Sequence, residues 1–211
     1  AGLTLYLQTE QYDGSSWTEV NDLNTGSSFA GSAGTQTSAL MYGGGPPSAG
    51  IASNESWNGS SWTEVADLNT NRRSLAGAGA DNTAAIAFGG WSPPTYYNNT
   101  ELWNGSSWTE VNNLNTARRN TMGDGTSTAG LCCGGHDGTA VTGKTEIWDG
   151  TNWSSNPTGL NAARFRSGSC GTQTAALVFG GNPGTGTPTI SAATEEYLGP
   201  GSIQSLDIDV T

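Results

Sequence analysis

The residues with chemistry to offer are few. His136 is the one histidine among 211 residues and follows Gly134-Gly135. A Ser-His-Asp triad or a metal site needs partners converging on that ring, and no local spacing supplies them. His136 therefore reads as an exposed loop residue. Cys132, Cys133 and Cys170 are odd in number and lack C-x-x-C spacing, so neither a disulfide framework nor a zinc site is indicated. They replace Ala87-Phe88 or Val178-Phe179, and Ala33 or Gly79, in other parts of a repeat described below. That substitution pattern predicts small buried hydrophobes.

The remaining candidates are charged and periodic. Glu10, Glu55, Glu101, Glu146 and Glu195 each stand two residues before an aromatic. Arg73, Arg119 and Arg164 stand near unit starts, the first two inside Arg72-Arg73 and Arg118-Arg119. A catalytic group is needed once, whereas a group in every unit serves every unit. The expectation is a structural Glu–Arg or Glu–backbone hydrogen bond between sheets, with no catalytic residue, no metal and no cofactor.

The period behind these residues is the strongest signal in the chain. Trp17, Trp62, Trp108 and Trp153 are spaced by 45, 46 and 45 residues. Tyr12, Trp57, Trp103 and Trp148 each precede one of them by five, and Tyr197 is a fifth copy. Gly43-Gly44, Gly89-Gly90, Gly134-Gly135 and Gly180-Gly181 keep the same period.

Each unit reads as four short strands: a Gly/Ala strand such as Ala76–Ala80, an apolar strand ending at Gly-Gly, a Glu-aromatic strand, and W-T-E-V. Asp13-Gly14, Asn58-Gly59, Asn104-Gly105 and Asp149-Gly150 signal tight hairpins between the last two. No long stretch has 3.6-residue periodicity, so helix is not expected. Four strands in about 45 residues match a β-propeller blade. Neighbouring blades cover each other's faces, small side chains fit the crowded axis, and Trp fills the wider outer gap.

The apolar strand ending in Gly-Gly, the Glu-aromatic strand, the Trp strand and the Arg at the next unit's start together resemble the kelch family. The first unit departs, with Ser27-Ser28 in place of arginine. The resemblance implies an all-β, kelch-type β-propeller of about five four-stranded blades. The near-identity of the repeats is similar to kelch-like proteins of marine bacteriophage virions and bacterial surfaces. Copper oxidases on this scaffold need two His and two Tyr at the metal, and a single His opposes that chemistry. A sialidase-type Asp box is absent too, because Asp13 and Asp149 have Gly at +1 and Trp at +4.

The expected units of this single domain are 1–24, which is partial, then 25–70, 71–116, 117–161 and 162–211. Leu3–Leu7 are expected as a worn second strand, and 203–210 as the last outer strand. A four-bladed ring with overhanging termini is one alternative, and an excised piece of a longer array is another. The chain opens on Ala1 without a basic-then-apolar leader, which reads as a mature or trimmed product.

Composition narrows the partners. Seven Lys+Arg against 18 Asp+Glu give a formal net charge of −11. That opposes nucleic acid and anionic membranes as main partners. No run of 18 apolar residues exists, so no membrane insertion is expected. Lys144 is the one lysine, and a nearly Lys-free acidic chain suggests a virion, extracellular or cell-surface setting.

One loop departs from the repeat. Trp91-Ser92-Pro93-Pro94-Thr95-Tyr96-Tyr97 follows Gly89-Gly90 and holds the eighth Trp. Stiff aromatic loops of this kind stack on sugars or anchor in protein partners. Trp91, Tyr96 and Tyr97 are thus the candidate binding residues, on a face built by the loops after the Gly-Gly pairs. The expected function is a non-enzymatic structural or binding module, as a tail-fibre, capsid-decoration or cell-surface part of a larger oligomeric assembly. It would contact other virion or surface proteins, or glycans. A secreted carbohydrate-active propeller enzyme and an intracellular kelch adaptor are the alternatives.

Overall fold

A computed structural model gives the structure of residue 5, residues 7–184 and 190–199, and the backbone of 203–206. The described residues are all-β, without helix, and form a β-propeller of four blades. β1 (Thr9–Tyr12) and β2 (Trp17–Val20) make a hairpin. Blade 1 follows with β3 (Gly31–Thr35), β4 (Ser38–Tyr42), β5 (Asn54–Trp57) and β6 (Trp62–Val65). Blade 2 holds β7 (Ala76–Asp81) and β8 (Ala84–Phe88), then a small hairpin of β9 (Trp91–Ser92) and β10 (Thr95–Tyr96), then β11 (Thr100–Trp103) and β12 (Trp108–Val111). Blade 3 is β13 (Met122–Gly125), β14 (Gly130–Cys133), β15 (Thr145–Trp148) and β16 (Trp153–Asn156). Blade 4 is β17 (Gly168–Gly171), β18 (Ala176–Phe179), β19 (Thr194–Tyr197) and β20 (Ile203–Leu206).

All four blades are antiparallel meanders in one register. Glu55, Glu101, Glu146 and Glu195 pair across from Met41, Ala87, Cys132 and Val178, two residues before each Gly-Gly. The outer hairpins turn on Asp13, Asn58, Asn104 and Asp149. Each side chain accepts the N–H groups two and three residues on at 2.7–3.0 Å, an Asx turn.

The first strands lie innermost: β3 packs on β7, β7 on β13 and β13 on β17. They enclose an axial channel of about 480 Å³. Small residues are required there. A Cβ on Gly77 would meet the Tyr42 hydroxyl, and one on Gly123 would meet the Phe88 ring, each from the preceding blade. The core is accordingly a series of clusters between blades. Leu40, Tyr42, Leu75, Ala85 and Trp108 join blades 1 and 2, and Ala78, Phe88, Cys132 and Trp153 join blades 2 and 3. In both, an aromatic at the end of the second strand meets the outer Trp of the next blade: Tyr42–Trp108 at 5.0 Å and Phe88–Trp153 at 4.8 Å, edge to face.

Among the described residues the partial first unit contributes two strands, beside four complete blades. Two details depart from expectation. The carbonyl of Leu7 accepts the Leu23 N–H, as Ala52 accepts from Leu68 and Asn98 from Leu114. Leu7 therefore sits in the connection before a third strand and not in a second strand; Leu3, Thr4 and Tyr6 lie outside the described residues. Cys170 is exposed on the channel, whereas Cys132 and Cys133 are buried. β17 packs on β13, and no comparable packing joins it to β3 among the described residues.

Candidate functional site

The periodic charges build the joints between blades. Glu101 is fully buried. Its Oε2 accepts the Asn69 backbone N–H at 2.7 Å and the Asn69 amide at 2.8 Å, and its Oε1 accepts Arg72 Nη1 at 2.6 Å. Glu146 binds Asn115 and Arg118 in the same way, and Glu195 accepts the Asn161 and Ala162 backbone N–H groups and Arg164. Each carboxylate thus clamps the connection arriving from the preceding blade. Burial lowers the Arg72 pKa, and Glu101 pulls it back up. Glu55 meets the same need without arginine, through Asn24 and the Thr25 N–H.

The paired arginines are therefore Arg72, Arg118 and Arg164, not Arg73 and Arg119. Adjacent residues of an extended chain point to opposite sides, so one arginine of each doublet enters the joint and the other leaves it. The spacing holds the signal: 72, 118 and 164 are 46 apart, whereas 73, 119 and 164 are unevenly spaced. Glu10 and Trp17 also depart from the expected role. Glu10 is exposed and has no partner among the described residues, and Trp17 is 66% exposed. Among the described residues no preceding blade supplies them with a connection or an apolar strand.

The outward-turned arginines converge on one mouth of the channel. Backbone pairing joins Arg73 with Trp91 and Arg119 with His136, setting the second arginine of each doublet beside the residue after Gly-Gly. The next position, Phe29, Ser74, Asn120 and Arg166, is left-handed in all four blades, with φ of 49–58°. These residues form a chain of backbone bonds around the axis: Ser74 N–H to Phe29, Asn120 N–H to Ser74 and Arg166 N–H to Asn120.

Guanidinium and aromatic groups alternate around this mouth. The Arg73 guanidinium carbon lies 4.8 Å from the Phe29 ring centroid and 5.4 Å from Trp91. That of Arg119 lies 4.5 Å from Trp91 and 5.4 Å from Tyr96. Tyr96 stacks on His136 at 5.9 Å, and His136 meets the edge of Phe165 at 6.1 Å. Arg166 lies 5.4 Å from Phe165 and 5.8 Å from Phe29. His136 is thus half-buried in a stack and not an exposed loop residue; its Nδ1 accepts the Gly138 N–H.

Among the described residues none of these three arginines has a carboxylate partner. Burial lowers the Arg73 pKa first, and the neighbouring charges of Arg119 and Arg166 lower it further. The Nε atoms of Arg73 and Arg119 and the Asn120 amide nitrogen are buried without partners. The mouth is therefore a concentration of positive charge with free donors on an acidic chain. Trp91 and Tyr96 belong to it, on the β9–β10 hairpin. Tyr97 does not join the stack; its backbone ties Gly90 to Arg118. Sequence reasoning missed Phe29, Arg73, Arg119, His136 and Arg166 as one site, because their units are separated by whole blades.

Among the described residues no group of three or more His, Cys, Asp or Glu side chains could hold one metal ion. Burial pushes the Cys132 and Cys133 thiols above their usual range, which disfavours the thiolate. What the mouth offers is planar cation–π surface and hydrogen-bond donors. The chain matches no protein-family model and no curated protein.

Proposed function

We propose that this protein is a non-enzymatic binding module of kelch type, built on a five-unit plan, that works on a virion or cell surface. It contacts other surface proteins or glycans through the mouth of Phe29, Arg73, Trp91, Tyr96, Arg119 and Arg166. The observation that carries the reading is the set of three arginines without carboxylate partners, held between aromatic rings on a chain of net charge −11. Such guanidiniums suit carboxylate or sulfate groups, and the flanking rings suit a sugar face or an apolar side chain. Varied loops on a uniform scaffold are where a repeat protein differentiates its contacts.

The test pairs two double variants, Trp91→Ala/Tyr96→Ala and Arg73→Ala/Arg119→Ala. Each is checked for folding by far-UV circular dichroism. Both are then titrated against immobilised carboxylated and sulfated glycans and against purified surface proteins. Loss of an anchor costs about 2 kcal/mol or more, roughly thirtyfold in affinity. The arginine pair should also flatten the salt dependence. Folded variants that bind as the parent does would place the contact elsewhere.

A further inference from the structure

Among the described residues β1 has a strand partner on one side and none on the other. Its counterparts β5, β11, β15 and β19 are each flanked by a second strand and an outer strand. Among the described strands β1 pairs with β2 alone. Beside its free edge lies a groove of about 410 Å³. Tyr12 and Trp17 form the near wall, and Trp57, Trp62 and Gln36 the far wall on blade 1.

The groove has the form of a blade joint with one half missing. Trp62 corresponds to Trp108 and Trp153, which meet Tyr42 and Phe88 of the preceding blade's second strand. Trp62 already donates to the Thr9 hydroxyl at 3.0 Å, as Trp153 does to Thr100. Gln36 already reaches the Tyr12 carbonyl, as Asn82 reaches that of Trp57. These contacts to the third strand are in place, and the second-strand aromatic is not.

We infer that the β1 edge and its groove are a strand-addition site. The occupant is a β-hairpin of this repeat's own type from a partner polypeptide: a Gly/Ala strand, a turn, and an apolar strand ending in an aromatic and Gly-Gly. The register is fixed by the blades. Tyr42, Phe88 and Phe179 pair with Asn54, Thr100 and Thr194, so the added aromatic sits opposite Thr9 and against Trp62. An intact second copy has no such strand to lend, because each of its second strands is already paired on both sides. Leu7 is held in the preceding connection by Leu23 and cannot fill the slot. Strand addition supplies affinity through main-chain bonds, and the aromatic wall supplies selectivity.

The probe is a synthetic peptide of residues 71–90, which carries both strands and ends in Phe88-Gly89-Gly90. It is titrated into the full chain, and amide hydrogen exchange is followed at residues 9–12. At a peptide concentration 100 times its Kd, protection of those amides should rise about a hundredfold, while blade 3 stays unchanged. A peptide with Phe88→Ala should bind at least about tenfold more weakly. Because a free hairpin can aggregate, a second form fuses residues 71–97 ahead of Leu7, where Asn98 follows them in blade 2. The same amides should gain protection in the fusion. Unchanged exchange at 9–12 in both forms overturns the proposal. So does concentration-dependent dimerisation of the chain alone that protects these amides, which would make a second copy the occupant.

Discussion

The indole Nε1–H of Trp153 donates to the Thr100 hydroxyl at 3.0 Å, from the outer strand of one blade to the third strand of the blade before it. Trp62 repeats the bond to Thr9. Trp108 should repeat it too, but the residue waiting there is Asn54. Trp108 Nε1 and Asn54 Oδ1 are both buried without partners. Thr145 has the opposite problem: its hydroxyl is orphaned, and the last outer strand carries Ile203 at the place of the tryptophan.

Asn54→Thr should therefore stabilise the protein. It gives Trp108 the acceptor that Trp62 and Trp153 already have, and it removes the orphaned amide oxygen. The bond from the Asn54 amide to the Ala66 carbonyl is lost, but Ala66 is exposed to water. A gain of about 1 kcal/mol is expected, measured as a shift in the urea midpoint at constant slope.

The clamp predicts an order of severity. Glu101→Ala leaves Arg72 buried and unpaired and should cost about 3–5 kcal/mol. Arg72→Met should cost less, roughly 1–3 kcal/mol. Glu101 keeps its two Asn69 donors, and Glu55 shows that the carboxylate is held without arginine. Denaturant unfolding of the two variants decides. Equal losses would mean that the guanidinium, not the connection, is what the carboxylate holds.

Asp124 carries a pH prediction. It lies on β13 in the channel wall, with Oδ2 buried and unpartnered. Burial raises its pKa, and a hydrogen bond with Ser169 only partly opposes that shift. A carboxyl that is harder to ionise in the folded state lowers stability as pH rises from the unfolded carboxylate range through its folded pKa. Asp124→Asn should thus raise the melting temperature at pH 7, and the difference should vanish below about pH 3. A gain equal at both pH values would assign the effect to packing.

The left-handed ring predicts a backbone effect. Ser74 has φ of 55° and is buried beside its backbone bond to Phe29. Ser74→Gly removes the Cβ strain that an L-residue bears there, at the expense of a freer unfolded chain. The net change should stay within about 1 kcal/mol. Ser74→Val should lose about 1–3 kcal/mol, since β-branched residues tolerate this region worst. Thermal melts of both variants separate the cases.

The sequence alone determined what is local or repeated. Strand lengths, the Asx hairpins, the double glycines and the recurrence of Glu with its aromatic can be read from spacing. Each follows from backbone preferences or from a joint that recurs in each blade. It also exposed Trp91 and Tyr96, because they break the repeat. The tertiary structure decided which arginine of each doublet enters the joint, that Phe29, Arg73, Arg119, His136 and Arg166 share one mouth, and that β1 has a partner on one side alone among the described strands. The physical reason is the same in each case. Those facts depend on how whole blades stack about an axis, and that stacking is set by non-local packing between strands about 45 residues apart. A repeat fixes the shape of one joint, whereas the number of joints made, and what is left facing outward, is settled only when the blades meet.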